Sequence, residues 1–121
     1  MGPAAELAIK ELDFEATFDP ARNAFTLAGN ADASVAEALK ELVQAIHDGA
    51  GATGIAVDLR NVEFMAASCF NVFVVWVGLI NELPFDQRYA LTFAINPTVP
   101  WQRRSLATLT CFATDIVKVE Q

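Results

Sequence analysis

The run from Phe64 to Ile80, FMAASCFNVFVVWVGLI, contains no charged residue. A membrane span needs roughly 17–25 apolar residues, so this run is at the short limit. Ser68 and Asn71 interrupt it, and no cluster of Lys or Arg flanks it. The segment therefore reads as a buried helix from about Ser68 to Glu82, with Pro84 marking its end. At helical spacing, Cys69, Val72, Phe73, Trp76, Leu79 and Ile80 share a broad face, which Phe70, Val74 and Val77 widen. Only Asn71, Val75, Gly78 and Glu82 remain for the opposite stripe. A helix this apolar must be covered on nearly every side, and a sheet covers only one. Either neighbouring helices supply the rest, or the stripe around Asn71, Val75 and Gly78 is an interface with a second copy or a foreign protein.

The rest of the chain supplies the sheet. Leu12 to Phe18 alternates apolar and polar residues, the period of a half-buried strand whose inner face is Leu12, Phe14, Ala16 and Phe18. Asp19-Pro20-Ala21-Arg22-Asn23 carries turn chemistry, and Ala24 to Ala28 reads as the return strand of a hairpin. Ser34 to His47 is an amphipathic helix with Val35, Ala38, Leu39, Leu42, Val43 and Ile46 inward. Ser34 with Glu37 fits a capping box, and Gly49-Ala50-Gly51 ends the helix. Gly54 to Leu59 is short and nearly all apolar, as in a parallel strand buried on both faces. Tyr89 to Ile95 is a further strand, and Asn96 to Pro100 a rigid turn. Pro100 to Cys111 forms a third helix with Leu106, Leu109 and Trp101 inward, and Ile116 to Val119 closes the chain as a strand. The predicted order is β-β-α-β-α-β-α-β, an α/β fold with a mixed, mostly parallel sheet and helices packed against it.

Composition narrows the functions. The chain of 121 residues suits one domain, residues 1–121, with an ordered core over about 12–119. Hydrophobic residues at 54% argue against disorder. A formal net charge of -7 repels phosphate backbones and anionic bilayers, which disfavours nucleic-acid and membrane binding. Cys69 and Cys111 form no metal-ligand spacing, and no cofactor is implied. The stretch Met1–Glu6 lacks the pattern of a secretory signal, and Gly2 lacks the downstream hydroxyl of a myristoylation site. A cytoplasmic protein with free thiols is the expectation. The lone histidine, His47, reads as a capping or surface residue at a helix C-terminus, and Cys111 as core. Asp13, Glu15, Asp19 and Asp58 have no spacing that forces them together, so no catalytic constellation can be read and an enzyme is not expected.

Two segments carry a family resemblance. Gly29-Asn30-Ala31-Asp32, followed by Ala36-Glu37-Ala38-Leu39, resembles the Gly-x-x-Asp turn and first helix of the STAS domains of bacterial anti-sigma factor antagonists. Val57-Asp58-Leu59, then Phe64-Met65-Ala66-Ala67-Ser68-Cys69, resembles their apolar strand ending in Asp-Leu, their Phe-Met turn and the Asp-Ser-Ser-Gly that opens the second helix. Asn96 to Leu106 is similar to a branch of bacterial STAS-like regulators. The resemblance implies a STAS fold and a non-catalytic module of bacterial signal transduction and transcription regulation, acting by partner switching. Its implied partner is an anti-sigma factor, a serine kinase of the histidine-kinase-like ATPase type. In the family the first Ser of the motif is phosphorylated. A phosphate there sits at a helix N-terminus and places nearly two negative charges on a contact surface.

The motif is altered here. The family Asp falls at Ala66, the phosphoacceptor at Ala67 and the Gly at Cys69. Ala67 has no hydroxyl, so the usual phosphorylation is expected to be absent. The candidate partner surface comprises Gly29, Asn30, Asp32, Met65, Ala66, Ala67, Ser68, Cys69, Asn71 and Val75. Ser68 is either the N-cap of the second helix or a residual phosphoacceptor. Cys69 is either a small packed residue or, with the helix dipole lowering its pKa, a thiol sensor. A homodimer through the second helix is the remaining alternative.

Overall fold

The structure, a computed structural model, describes residues 7–49 and 54–121. The Met1–Glu6 stretch with Gly2, and the Ala50-Gly51 helix stop, lie outside the described residues. Among the described residues, six strands form one sheet in sequential order: β1 (Leu7–Lys10), β2 (Phe14–Asp19), β3 (Ala24–Ala31), β4 (Ile55–Met65), β5 (Leu91–Ala94) and β6 (Val117–Glu120). β1, β2 and β3 are mutually antiparallel, and β3 through β6 run parallel. The helices are α1 (Ala36–Gly49), α2 (Ala67–Asn81) and α3 (Pro100–Phe112), with 3-10 turns at Ala33–Val35 and Phe85–Gln87. The mixed α/β sheet is as expected, with one strand more. β1 is a four-residue edge strand, too short to show a period.

β1 also explains why Leu12 is not core. The chain reverses at Glu11–Asp13, where the Glu11 amide donates to the Phe14 carbonyl at 2.8 Å. Leu12 sits on that turn and is 98% exposed, so the alternation that continues through Phe14, Ala16 and Phe18 stops before it. One face of the sheet is buried. Its rows include Phe18, Phe25, Val57 and Phe93 across neighbouring strands, and Ile55, Leu91 and Val117 beside them. α2 lies on this face: Phe25 meets Trp76 edge-on at 6.1 Å, and Phe93 meets Phe73 at 5.6 Å. The opposite face carries Glu15, Thr17, Thr26 and Ala56, all exposed. The expectation that Gly54–Leu59 is buried on both faces is thus corrected. Ile55, Val57 and Leu59 point in, and Ala56 points to solvent.

Four further corrections concern the helices. Asp32 caps the 3-10 turn Ala33–Val35 that leads into α1, and no Ser34–Glu37 box forms. The Asp32 carboxylate accepts from the Ser34 amide at 2.9 Å and also from the Ser34 hydroxyl. Ala38 is exposed, while Val35, Leu39, Leu42, Val43 and Ile46 are buried as expected. His47 is half-buried, and its Nδ1 lies 2.5 Å from the Tyr89 hydroxyl, which accepts at 2.8 Å from the buried Trp76 indole N–H. Cys111 is exposed. The inward positions of α3 are Gln102, Leu106 and Leu109, and two residues beyond Leu109 the helix has turned about 200° away.

β4 is almost twice the expected length. Between Thr26 and Ala28 of β3, and again between Gly29 and Asn30, β4 takes up one extra residue. These bulges let it run alongside β3 to Met65, past Asp58, where its pairing with β5 ends. The overhang leaves carbonyls with no strand on that side. Gln102, 0% exposed, fills the gap: its Nε2 donates to Leu59 O at 2.6 Å and Val62 O at 2.7 Å, and its Oε1 accepts from Asn96 N at 2.8 Å. Trp101 is half-buried, and its Nε1 donates to Glu63 O at 3.0 Å.

Candidate functional site

The C-terminal ends of β3 and β4 and the start of α2 come together at one end of the sheet. Asn30 pairs with Phe64 and Ala31 with Met65 across the parallel strands. Ala31 O then accepts from Ala66 N at 2.8 Å, which fixes the point where β4 turns into α2. Gly29 has φ +101°, and a Cβ there would lie 2.0 Å from Asp13 O. The glycine is needed so that the β1–β2 turn can press against β3, where Asn30 N donates to Asp13 O at 2.7 Å.

The structure brings the ten candidate residues onto adjoining segments, but they do not all face outward. Asn30, Asp32, Ala67, Ser68 and Asn71 are exposed, and Val75 is 46% exposed. Gly29, Met65 and Ala66 are half-buried. Cys69 is fully buried, with its thiol donating to Asp32 O at 3.2 Å. Burial, and secondarily the Asp32 carboxylate, push this thiol above its ordinary pKa. Desolvation thus overrides the helix dipole, and the low-pKa thiol reading is corrected. Cys69 ties the α2 start to the Asp32 turn from beneath.

Ser68 does not cap α2. Ala66 occupies the N-cap and makes no side-chain cap bond, so Ser68 falls in the first helical turn with its side chain at the surface. Asp32 is a capping carboxylate held below its usual pKa by its bonds from Ser34. Asp58 is likewise lowered, chiefly by Arg60, whose guanidinium meets it through two bonds of 3.0 and 2.9 Å on the open face of the sheet. Sequence reading missed this pair; its signal is the i, i+2 spacing that puts both side chains on one face of β4.

α1 and α2 pack side by side. Between them lies a cleft of about 260 Å³ whose lining includes Glu37, Lys40 and Val43 from α1 and Ser68, Val75 and Leu79 from α2. A Cβ added at Gly78 would meet nothing within 4 Å. No helix among the described residues is long and apolar enough to cross a membrane.

No family model and no curated protein matches the sequence. Among solved structures, the chain is similar to an anti-sigma factor antagonist from Mycobacterium paratuberculosis. The TM-score is 0.58 at 14% identity, over 97% of this chain and 88% of that one. The fold is therefore the α/β STAS-type fold of that protein.

Proposed function

We propose that this chain is a non-catalytic, cytoplasmic regulatory module that binds a protein partner in the manner of an anti-sigma factor antagonist. The observation that carries the reading is the fold match over nearly the whole chain, with Ala67 and Ser68 exposed beside the Asp32 turn. The partner is an anti-sigma factor of the histidine-kinase-like ATPase type. The surface is the Asn30–Asp32 turn together with Ala67, Ser68, Asn71 and Val75.

Ala67 occupies the position where a phosphate would gate such a surface, and a methyl group cannot accept one. The module accordingly stays in its binding state. The depth and raised pKa of Cys69 argue against thiol sensing at this loop.

Affinity capture with wild type and Ala67→Asp tests the reading. Ala67 is exposed at the first position of α2, where a carboxylate interacts favourably with the helix dipole, so the variant folds. Wild type is expected to capture a histidine-kinase-like ATPase that Ala67→Asp does not. Identical proteins on both baits would overturn it.

A further inference from the structure

α2 carries no charged residue over Ala67–Asn81, and its stripe of Ser68, Asn71 and Val75 is open to solvent. The cleft between this stripe and α1 is floored by Val43, Val72, Val75 and Leu79. An apolar cavity of about 150 Å³ accepts a benzene ring. At about 260 Å³, this cleft has room for one or two bulky apolar side chains. The charged residues that line it come from α1. Glu37 and Lys40 line the cleft, and Glu41 and Asp48 stand with them around the adjoining depression. Three carboxylates thus face one ammonium group, next to a neutral helix.

That balance selects the occupant. In a two-fold pair of this chain centred on the cleft, a patch with three carboxylates and one ammonium would meet an equally net-negative patch. An acidic segment meets the same repulsion. A segment with Lys or Arg flanking an apolar anchor gains on both counts, and a channel between two helices suits a helix with anchors at i and i+3 or i+4. Resting on the reading of the chain as a protein-binding module, we propose that the α1–α2 cleft seats a basic amphipathic helix of the partner. Its apolar anchor enters against Val43 and Val75, and its cationic residues lie over Glu37 and Glu41.

The test is an amide NMR titration of the full chain with three synthetic amphipathic helices. They share one leucine pattern and differ only in Lys, Gln or Glu flanks. The Lys-flanked peptide is expected to give saturable shifts confined to α1 and α2, weakened by added salt. The Glu-flanked peptide is expected to bind at least about tenfold more weakly. Glu37→Lys with Glu41→Lys should reverse the preference, and Val75→Arg, at an exposed position, should cost about tenfold with the fold intact.

Absence of saturable shifts at the cleft, equal binding of the Lys and Glu peptides, or full binding by Val75→Arg overturns the proposal. A concentration-dependent doubling of mass in ultracentrifugation, lost in Val75→Arg, overturns it in favour of a second copy. The peptide titration makes no use of the Ala67 contrast. A cleft that binds while capture fails therefore refutes the kind of partner and not the cleft, and the converse result refutes the cleft alone.

Discussion

Replacing Gln102 by Met removes the amide group while keeping the length and much of the volume of the side chain. Three hydrogen bonds go with it, those to Leu59 O, Val62 O and from Asn96 N. Each buried backbone group left without a partner costs about 1–3 kcal/mol. The three lie near the end of β4, where Arg60 and Asn61 are exposed and Asn96 is half-buried, so water reaches part of the opened site. That brings the expected loss to about 3–4 kcal/mol, toward the low end of the sum. With an unfolding entropy of about 2 cal/mol/K per residue, the melting temperature should fall by about 12–16 °C. Urea unfolding followed by tryptophan fluorescence measures the loss directly, since Trp76 is buried and Trp101 adjoins the substituted residue. Gln102→Glu adds a pH signature. A carboxylate there would face two carbonyl oxygens, which raises its pKa in the folded state. Its penalty should be smallest below the unfolded pKa of about 4.3 and should grow as pH rises through the raised folded value. A Gln102→Met loss of less than about 1 kcal/mol would refute the claim that this amide stitches the β4 overhang to α3.

Tyr89→Phe strips the Trp76 indole N–H of its acceptor in a buried site and should cost about 1–3 kcal/mol by urea unfolding. Burial pushes the Tyr89 hydroxyl up to about 12. Because Tyr89 is the one tyrosine of the chain, tyrosinate absorbance reads it directly. Its contribution to stability should be intact below the unfolded pKa of about 10 and lost as pH rises toward 12. A folded-state midpoint near 10 contradicts this. Thiol titration should show Cys111 reacting at once and Cys69 only as the chain unfolds, and equal rates would refute the burial of Cys69. Gly29→Ala should destabilise by at least about 1–3 kcal/mol from its left-handed backbone conformation, with the clash against Asp13 O added, and a neutral result would refute the close approach of that turn.

What the sequence made legible is what periodicity reports. The inward face of α2, from Cys69 through Ile80, follows from spacing alone, as do the alternating strands and the crossover order. What it hid depends on contacts between distant residues. β1 has four residues and no period, so Leu12 looked like the continuation of a strand when it marks a turn. The extent of β4 depends on bulges and on an amide more than forty positions away, neither of which leaves a local pattern. Ser34 and Glu37 spell a capping box, yet Ser34 falls inside a 3-10 turn that Asp32, just past β3, caps by accepting from the Ser34 amide. For the candidate site, the turn at Gly29–Asp32 and the loop at Met65–Ser68 were legible as segments. Which of their side chains reach solvent was not. Cys69 shows why: the helix position suggests an activated thiol, and only the packing under the Asp32 turn reveals a desolvated one.

These same contacts explain how a loop without an N-cap side chain keeps a definite shape. Ala66 offers α2 no cap, so the loop's position must come from its neighbours. Ala31 O holds the Ala66 amide from one side, and the Cys69 thiol reaches Asp32 O from below. From α3, Gln102 and Trp101 clamp the β4 carbonyls of Leu59, Val62 and Glu63, the residues leading into Met65. Each restraint engages a backbone atom and none requires a hydroxyl or carboxylate at Ala66 or Ala67. The geometry of the surface therefore does not depend on a polar side chain at either position, which is why the proposed binding role is compatible with alanine at both.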